Sequence, residues 1–189
     1  MGVKSLYIIA GPNGAGKTTA SFTILPGLLR CKNFVNADEI ARGISPFSPE
    51  SVAVQAGRIM LHRIDELILQ GVDFAIETTL ATRSYVNLIK RAKKSGYKIF
   101  MLFFYLENPN QAILRVRQRV SEGGHDIPNE VIIRRYNLGI RNLIDLYIPI
   151  CDNVTIYNNT NSPSNLIARK NGVLEVLDNC MWNQIINNK

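Results

Sequence analysis

Cysteine is scarce in this sequence. The three residues present, Cys31, Cys151 and Cys180, have neither the even number nor the spacing of a disulfide framework or a zinc site. They read as reduced thiols in a cytosolic protein. Long hydrophobic runs are missing too, since no apolar segment reaches the roughly 20 residues that a membrane-spanning helix needs. There is no internal repeat and no low-complexity linker, which excludes repeat arrays and flexibly joined modules. Acidic residues are outnumbered, 15 against 22 basic, and the formal charge of +7 favours an anionic partner: a nucleotide, a sugar phosphate or nucleic acid. Charge alone does not choose among these. What is present, 189 residues at 46% hydrophobic composition, suits one domain across residues 1–189 with a proper core.

Short β-like runs at 5–10, 33–36, 73–77, 98–106 and 153–157 alternate with longer helical patterns. Alternation of this kind predicts a parallel sheet with crossover helices, and the nearly continuous apolar character of the runs suits strands covered on both faces. The expected architecture is α/β, a three-layer α/β/α domain around a five-stranded, mainly parallel sheet. A helix is predicted over 49–70, with Ser48 as N-cap, Pro49 in the first turn and Gly71 past the end. Others are predicted over 82–95, 109–122 and 128–147, the last two bracketing a polar turn, Gly123-Gly124-His125-Asp126. Residues 166–177 read as a hairpin around Asn171-Gly172 with a short helix behind it, an appendage of the same domain spanning about 160–189.

The strongest motif is Gly11-Pro12-Asn13-Gly14-Ala15-Gly16-Lys17-Thr18, directly after a predicted strand and before a predicted helix. It fits the P-loop pattern in the context that confirms one. Glycines let backbone N–H groups curl round phosphate oxygens, Lys17 reaches the β and γ phosphates, and the Thr18 hydroxyl takes Mg²⁺; Thr19 follows in the first helical turn. The fold is thus expected to be a P-loop NTPase, with ATP and Mg²⁺ bound. No Asn-Lys-x-Asp base-reading motif marks a GTPase. Ser121-Glu122-Gly123-Gly124 is a poor copy of a transporter signature, and no hydrophobic strand ends in Asp-Glu.

The next two strands each end near a carboxylate, Asp38 and Glu77, and in a parallel sheet both face the P-loop edge. Phosphoryl transfer needs an acceptor hydroxyl in line with the γ phosphate and a carboxylate to take its proton, a role that suits Asp38. The alternative is that Asp38 only caps the helix beginning at Glu39. Glu77 is expected to bind an acceptor hydroxyl or a metal-bound water, or else to hydrogen-bond the neighbouring Thr78 and Thr79. A basic segment, Arg115, Arg117 and Arg119, then the Gly-Gly turn with His125, then Arg134 and Arg135, reads as a kinase-like lid over about 115–135. Arg115 and Arg119 share a helix face with Arg117 turned away, so Arg119 is the expected phosphate clamp and Arg117 a solvated arginine. Arg58 is a candidate for an acceptor phosphate or else a surface arginine, and Asn158, after the last parallel strand, stands where such folds hold the base.

Residues 11–18, Val35-Asn36-Ala37-Asp38, Ile76-Glu77-Thr78-Thr79 and the lid together resemble the zeta toxin family of P-loop kinases, in order over about 5–158. The resemblance implies transfer of the ATP γ-phosphate to the 3′-hydroxyl of UDP-N-acetylglucosamine, with Asp38 as base, Glu77 on the acceptor, and lid arginines on ATP; Thr79, beside Glu77, is a further candidate to bind the acceptor. Two departures stand out. Leu80 and Ala81 occupy the place of a basic residue after the glutamate, with Arg83 slightly later; His125 stands where a second lid arginine is expected. The chain is accordingly read as a small-molecule kinase with a nucleotide sugar as leading acceptor. The alternatives are a nucleoside or polynucleotide 5′-hydroxyl kinase, and a nucleotide-dependent switch with an antitoxin-like protein partner.

Overall fold

The computed structural model describes residues 3–124 and 126–189. Five parallel strands, β1 (Lys4–Ala10), β2 (Phe34–Val35), β3 (Phe74–Thr78), β4 (Tyr97–Tyr105) and β5 (Asn153–Asn158), lie close to the predicted runs. Two more, β6 (Asn165–Asn171) and β7 (Val173–Val176), pair antiparallel. Among the described residues the sheet is therefore seven-stranded, in the order β2-β3-β1-β4-β5-β6-β7. The expectation of five strands with a separate hairpin is corrected here. The hairpin forms at Gly172, whose φ of 82° suits a tight reversal, but it docks on β5 because that strand's outer edge would otherwise leave its backbone groups unpaired.

The crossovers explain the layers. Between β1 and β2 the chain passes through α1 (Lys17–Gly27) and moves one way across the sheet. Through α2 (Ala37–Ile44), α3 (Ala53–Gln70), α4 (Ser84–Lys94), α5 (Pro109–Ser121), α6 (Asn129–Asn142) and α7 (Ile148–Ile150) it moves the other way. Right-handed connections then put α1 on one face and the rest on the opposite face. Burial follows: Ile8, Met101 and Ile156 on the many-helix face are at most 1% exposed, whereas Tyr7, Phe100 and Tyr157 on the α1 face are half-buried. The last helix, α8 (Asn179–Asn187), joins the crowded face, where Asn188 donates to the Tyr105 hydroxyl at 3.2 Å.

Helix boundaries follow local chemistry. Asn108 caps α5 by accepting from Gln111 N at 3.0 Å, and Gly71 ends α3 in the left-handed conformation. Two expectations change in detail. The predicted 49–70 helix opens with a 3₁₀ turn, Pro49–Val52, and the Ser48 hydroxyl donates to Glu50 at 2.6 Å rather than capping. The predicted 128–147 helix is α6 followed by a π-helical turn, Leu143–Tyr147. Among the described residues no helix is long and apolar enough to cross a membrane.

Candidate functional site

The site gathers at the carboxyl ends of the parallel strands, and its nucleotide side is a single stretch of chain. Gly11 follows β1 with φ 143°, and a Cβ there would stand 2.4 Å from the Phe104 carbonyl oxygen, so only glycine lets the loop leave the sheet between β1 and β4. Gly14 and Gly16 are both left-handed. Gly16 is also the N-cap of α1 and offers no side-chain acceptor, which leaves first-turn N–H groups of α1 for an anion. The loop is braced from its carbonyl side. Arg115 donates to Gly14 O (3.4 Å) and Thr160 O (2.8 Å), and Asn159 Nδ2 donates to Ala15 O (2.8 Å). The predicted nucleotide residues Pro12, Asn13, Lys17, Thr18 and Thr19 all lie in this loop or the first turn of α1; Asn13 and Lys17 are buried and Thr19 is exposed. Asn158 is tied into the fold: its Nδ2 donates to Glu107 Oε1 at 3.1 Å and its Oδ1 accepts from Thr160 N at 2.9 Å.

Behind the loop, Lys17 and Glu77 form a buried pair. Lys17 Nζ donates to Pro12 O at 2.9 Å and lies 3.9 Å from Glu77 Oε1. Burial pushes the Lys17 ammonium below its ordinary pKa, with Glu77 and Asp38 opposing and Arg119 and Arg135 adding to the fall. Burial pushes the Glu77 carboxyl above its ordinary pKa, opposed by Lys17 and by the Thr18 hydrogen bond. Thr18 Oγ1 stands 3.0 Å from both Glu77 carboxylate oxygens. The partner of Glu77 is thus the P-loop threonine, not the neighbouring Thr78 or Thr79.

The other side of the site draws on several elements. Residue Asn36 caps α2, its Oδ1 accepting from Asp38 N at 2.9 Å. Asp38 is therefore not the cap: β2 ends at Val35 and the helix starts at Ala37, so the capping position falls on Asn36 and Asp38 sits in the first turn with its carboxylate free of that duty. A cleft of about 440 Å³ joins Lys17, Asp38 and Glu77 to Thr79 and Thr82 on the loop after β3, Tyr85 on α4, and Arg134 and Arg135 on α6.

Other predicted residues fall differently. Arg119 is half-buried and close enough to Lys17 to depress its pKa. Arg117 is exposed and lines a separate cavity of about 410 Å³ with Asp126 and Asn129. Arg58 and Arg83 are both exposed and neither lines the cleft, because Arg58 points away from the sheet side of α3 and Arg83 sits just before α4 while Thr82 and Tyr85 face inward. His125 lies outside the described residues. The sequence places Arg135 in the basic lid segment without a part in the cleft, and gives no role to Tyr85 or Thr82. Helical phase from Pro128 is the one signal that bears on Arg135, since a residue two turns into α6 can reach the sheet edge from a lid.

The zeta toxin family model matches residues 2–171. The chain belongs to the zeta toxin family. An uncharacterized protein of Haemophilus influenzae is 29% identical over 132 residues, 67% of this chain and 88% of that one. Among solved structures, AvrRxo1-ORF1 in complex with AvrRxo1-ORF2 and ATP superposes with a TM-score of 0.80 at 19% identity, over 98% of this chain and 64% of that chain. The PezAT chromosomal toxin–antitoxin system of Streptococcus pneumoniae gives 0.71 at 18% identity, over 97% and 79%. The present chain thus spans about two thirds of the AvrRxo1-ORF1 chain, and at these identities the likeness is one of fold.

Proposed function

We propose that this zeta toxin family member is a kinase that transfers the γ-phosphate of ATP to a hydroxyl of a small molecule, with a nucleotide sugar such as UDP-N-acetylglucosamine as leading acceptor. The observation that carries the reading is the shared cleft: a carboxylate relieved of capping, Asp38, opens onto the same space as the P-loop lysine and two α6 arginines. The residues fit ATP, because a buried ammonium with a depressed pKa and a helix start without a capping side chain both favour an arriving polyphosphate. They also fit magnesium, which takes few protein oxygens beside substrate phosphates and water; Thr18 and Glu77 would hold it, and it would supply charge neutralisation at the phosphates.

Asp38 accepts the acceptor's hydroxyl proton, and the freed oxygen lone pair forms the bond to the γ-phosphorus. The bond from that phosphorus to the β–γ bridging oxygen breaks, and its electron pair leaves with ADP. Lys17 and Arg135 carry positive charge to the oxygens of the transferring group, and Arg119 adds to it. Lys17 must exchange the Pro12 carbonyl for phosphate oxygen. An antitoxin-like protein partner is part of the proposal, supported by the toxin–antitoxin character of PezAT.

The test is transfer of label from γ-labelled ATP, with Mg²⁺, to UDP-N-acetylglucosamine. A phosphorylated sugar nucleotide made by the wild type and lost in Asp38→Asn is expected. Label reaching only nucleosides or 5′-hydroxyl oligonucleotides reassigns the acceptor, and nucleotide binding with no transfer to any hydroxyl removes the kinase reading.

A further inference from the structure

The loop after β3, residues 79–82, supplies Thr79, Ala81 and Thr82 to the cleft that holds Asp38, yet its conformation is not one that its own sequence favours. Leu80 is fully buried and left-handed, with φ 58°, an unusual state for a bulky residue without a glycine's freedom. Locally the bend has one buried tether, Leu80 N donating to Thr78 Oγ1 at 3.0 Å. Weaker local bonds add to it, Ala81 N to Thr79 Oγ1 at 3.5 Å and Ser84 N to Thr82 Oγ1 at 3.2 Å, and the long-range restraints come from α6 and the turn that follows it, about 60 residues away along the chain.

Three contacts converge. Asn142, 3% exposed, donates from Nδ2 to Leu80 O at 2.7 Å. The Tyr147 hydroxyl donates to Thr82 O, and the π-helical turn Leu143–Tyr147 is what brings that side chain round to it. Gly139 lets the helix come so close that a Cβ there would lie 2.5 Å from Thr79 O. Each contact takes a loop carbonyl, at 79, 80 and 82. The loop is thereby held against α6 and the following turn through its backbone, and Thr79 and Thr82, whose hydroxyls accept from Ala81 N and Ser84 N, line the cleft. The same helix presents Arg135, and positions 135, 139 and 142 follow one face at spacings of four and three.

Resting on the kinase reading above, we propose that Asn142 is a positioning residue for the phosphoryl acceptor. It holds the 79–82 loop as a fixed platform on which the acceptor hydroxyl is set against Asp38, without touching the acceptor itself. A buried carbonyl that loses its donor relaxes to find another, and at Leu80 the relaxation releases a strained φ, so the platform shifts as a unit. Misplacement of an acceptor by about 1 Å costs on the order of 100-fold in transfer.

The experiment compares wild type, Asn142→Leu and the milder Tyr147→Phe in three measurements: AMP-PNP affinity with Mg²⁺, kcat and KM for transfer to UDP-N-acetylglucosamine, and hydrogen exchange at the Leu80 amide. The expected result for Asn142→Leu is AMP-PNP affinity within about 2-fold, kcat/KM for the acceptor down about 10- to 100-fold, and exchange at Leu80 raised at least about 10-fold. Tyr147→Phe should follow in the same direction by a smaller factor. Acceptor kcat/KM that survives in Asn142→Leu, or AMP-PNP affinity that falls by the same factor, overturns the proposal. If the wild type itself transfers nothing to UDP-N-acetylglucosamine, that acceptor fails and the platform is judged on exchange. Leu80 protection unchanged in a folded Asn142→Leu protein then overturns it. Should Asn142→Leu not fold, Tyr147→Phe carries both measurements by the same criteria.

Discussion

The two halves of the cleft are built on opposite plans. The half proposed for the nucleotide is one octapeptide running from the end of β1 into the first turn of α1, shaped by left-handed glycines and braced through its carbonyls by Arg115 and Asn159. The half proposed for the acceptor is assembled from the start of α2, the end of β3 and its loop, α4 and α6. The difference follows from what each must recognise. A phosphate is met by backbone N–H groups, so the recognition element is a chain conformation and is necessarily contiguous. An acceptor hydroxyl must be aligned with a base and held there by side chains, which only tertiary structure can bring together.

Substitutions should separate the halves. The largest effect is expected for Asp38→Asn. Transfer to UDP-N-acetylglucosamine should fall about 10²- to 10⁴-fold by kcat, while AMP-PNP affinity stays within about 2-fold. Thermal stability should also hold, because Asn36 is the cap; Asn36→Ala should instead cost about 1 kcal/mol in a denaturant melt. A fall in AMP-PNP affinity matching the loss of turnover in Asp38→Asn would merge the two halves.

Arginines at the seam come next. Arg135→Ala and Arg119→Ala should each lower kcat by roughly 10- to 1000-fold, the range for a removed donor to the developing charge. The exposed Arg117→Ala should change it little. An Arg117 effect as large as that of Arg135 would place the lid differently over the cleft.

A smaller, pH-borne effect tests the buried pair. Phosphate oxygens restore the Lys17 ammonium toward its ordinary pKa of 10.5, so ATP affinity is full below the lowered pKa of the free site and falls as pH rises through it. The window lies between that lowered value and 10.5. Cation binding needs Glu77 ionised, and its pKa lies above the ordinary 4.5, so the Mg²⁺-dependent part of ATP affinity should fall as pH drops through the raised value. Glu77→Gln should abolish the acid limb and keep the alkaline one. Titrations of ATP affinity with and without Mg²⁺ measure both limbs; an acid limb that persists in Glu77→Gln would assign it to another group. The smallest effect is expected from Asn159→Ala, which removes a P-loop brace and should cost about 1 kcal/mol of stability with a modest loss of ATP affinity.

The same contrast decides what the sequence reveals. The P-loop is visible because its function is its spacing, and the five parallel strands are visible because burial on both sides makes them continuous apolar runs. The hairpin around Gly172 is equally readable, but not its docking on β5, since edge pairing leaves no mark on either strand. Asp38 reads as a possible cap from the sequence; the end of β2 at Val35 puts the cap two residues earlier, on Asn36, and frees Asp38. Glu77 is legible as a strand-end carboxylate, but its partner Thr18 is 59 residues away and reached through the β1–β3 pairing. Arg58 and Arg83 look as eligible as Arg135 until helix orientation is known, and that orientation is a property of packing rather than of the residues themselves.

One helix serving both halves has a consequence for how the gene can change in length. From Arg135 to Asn142 the spacing must keep two turns of α6 in phase, and each inserted or deleted residue would rotate one end by about 100° against the other. Such an indel would turn either the arginine away from the cleft or the asparagine away from the Leu80 carbonyl, although the helix itself would still form. Length variation that leaves the protein working should therefore be excluded between Arg135 and Asn142, a boundary that insertion scanning of the gene would reveal as an abrupt edge in tolerance.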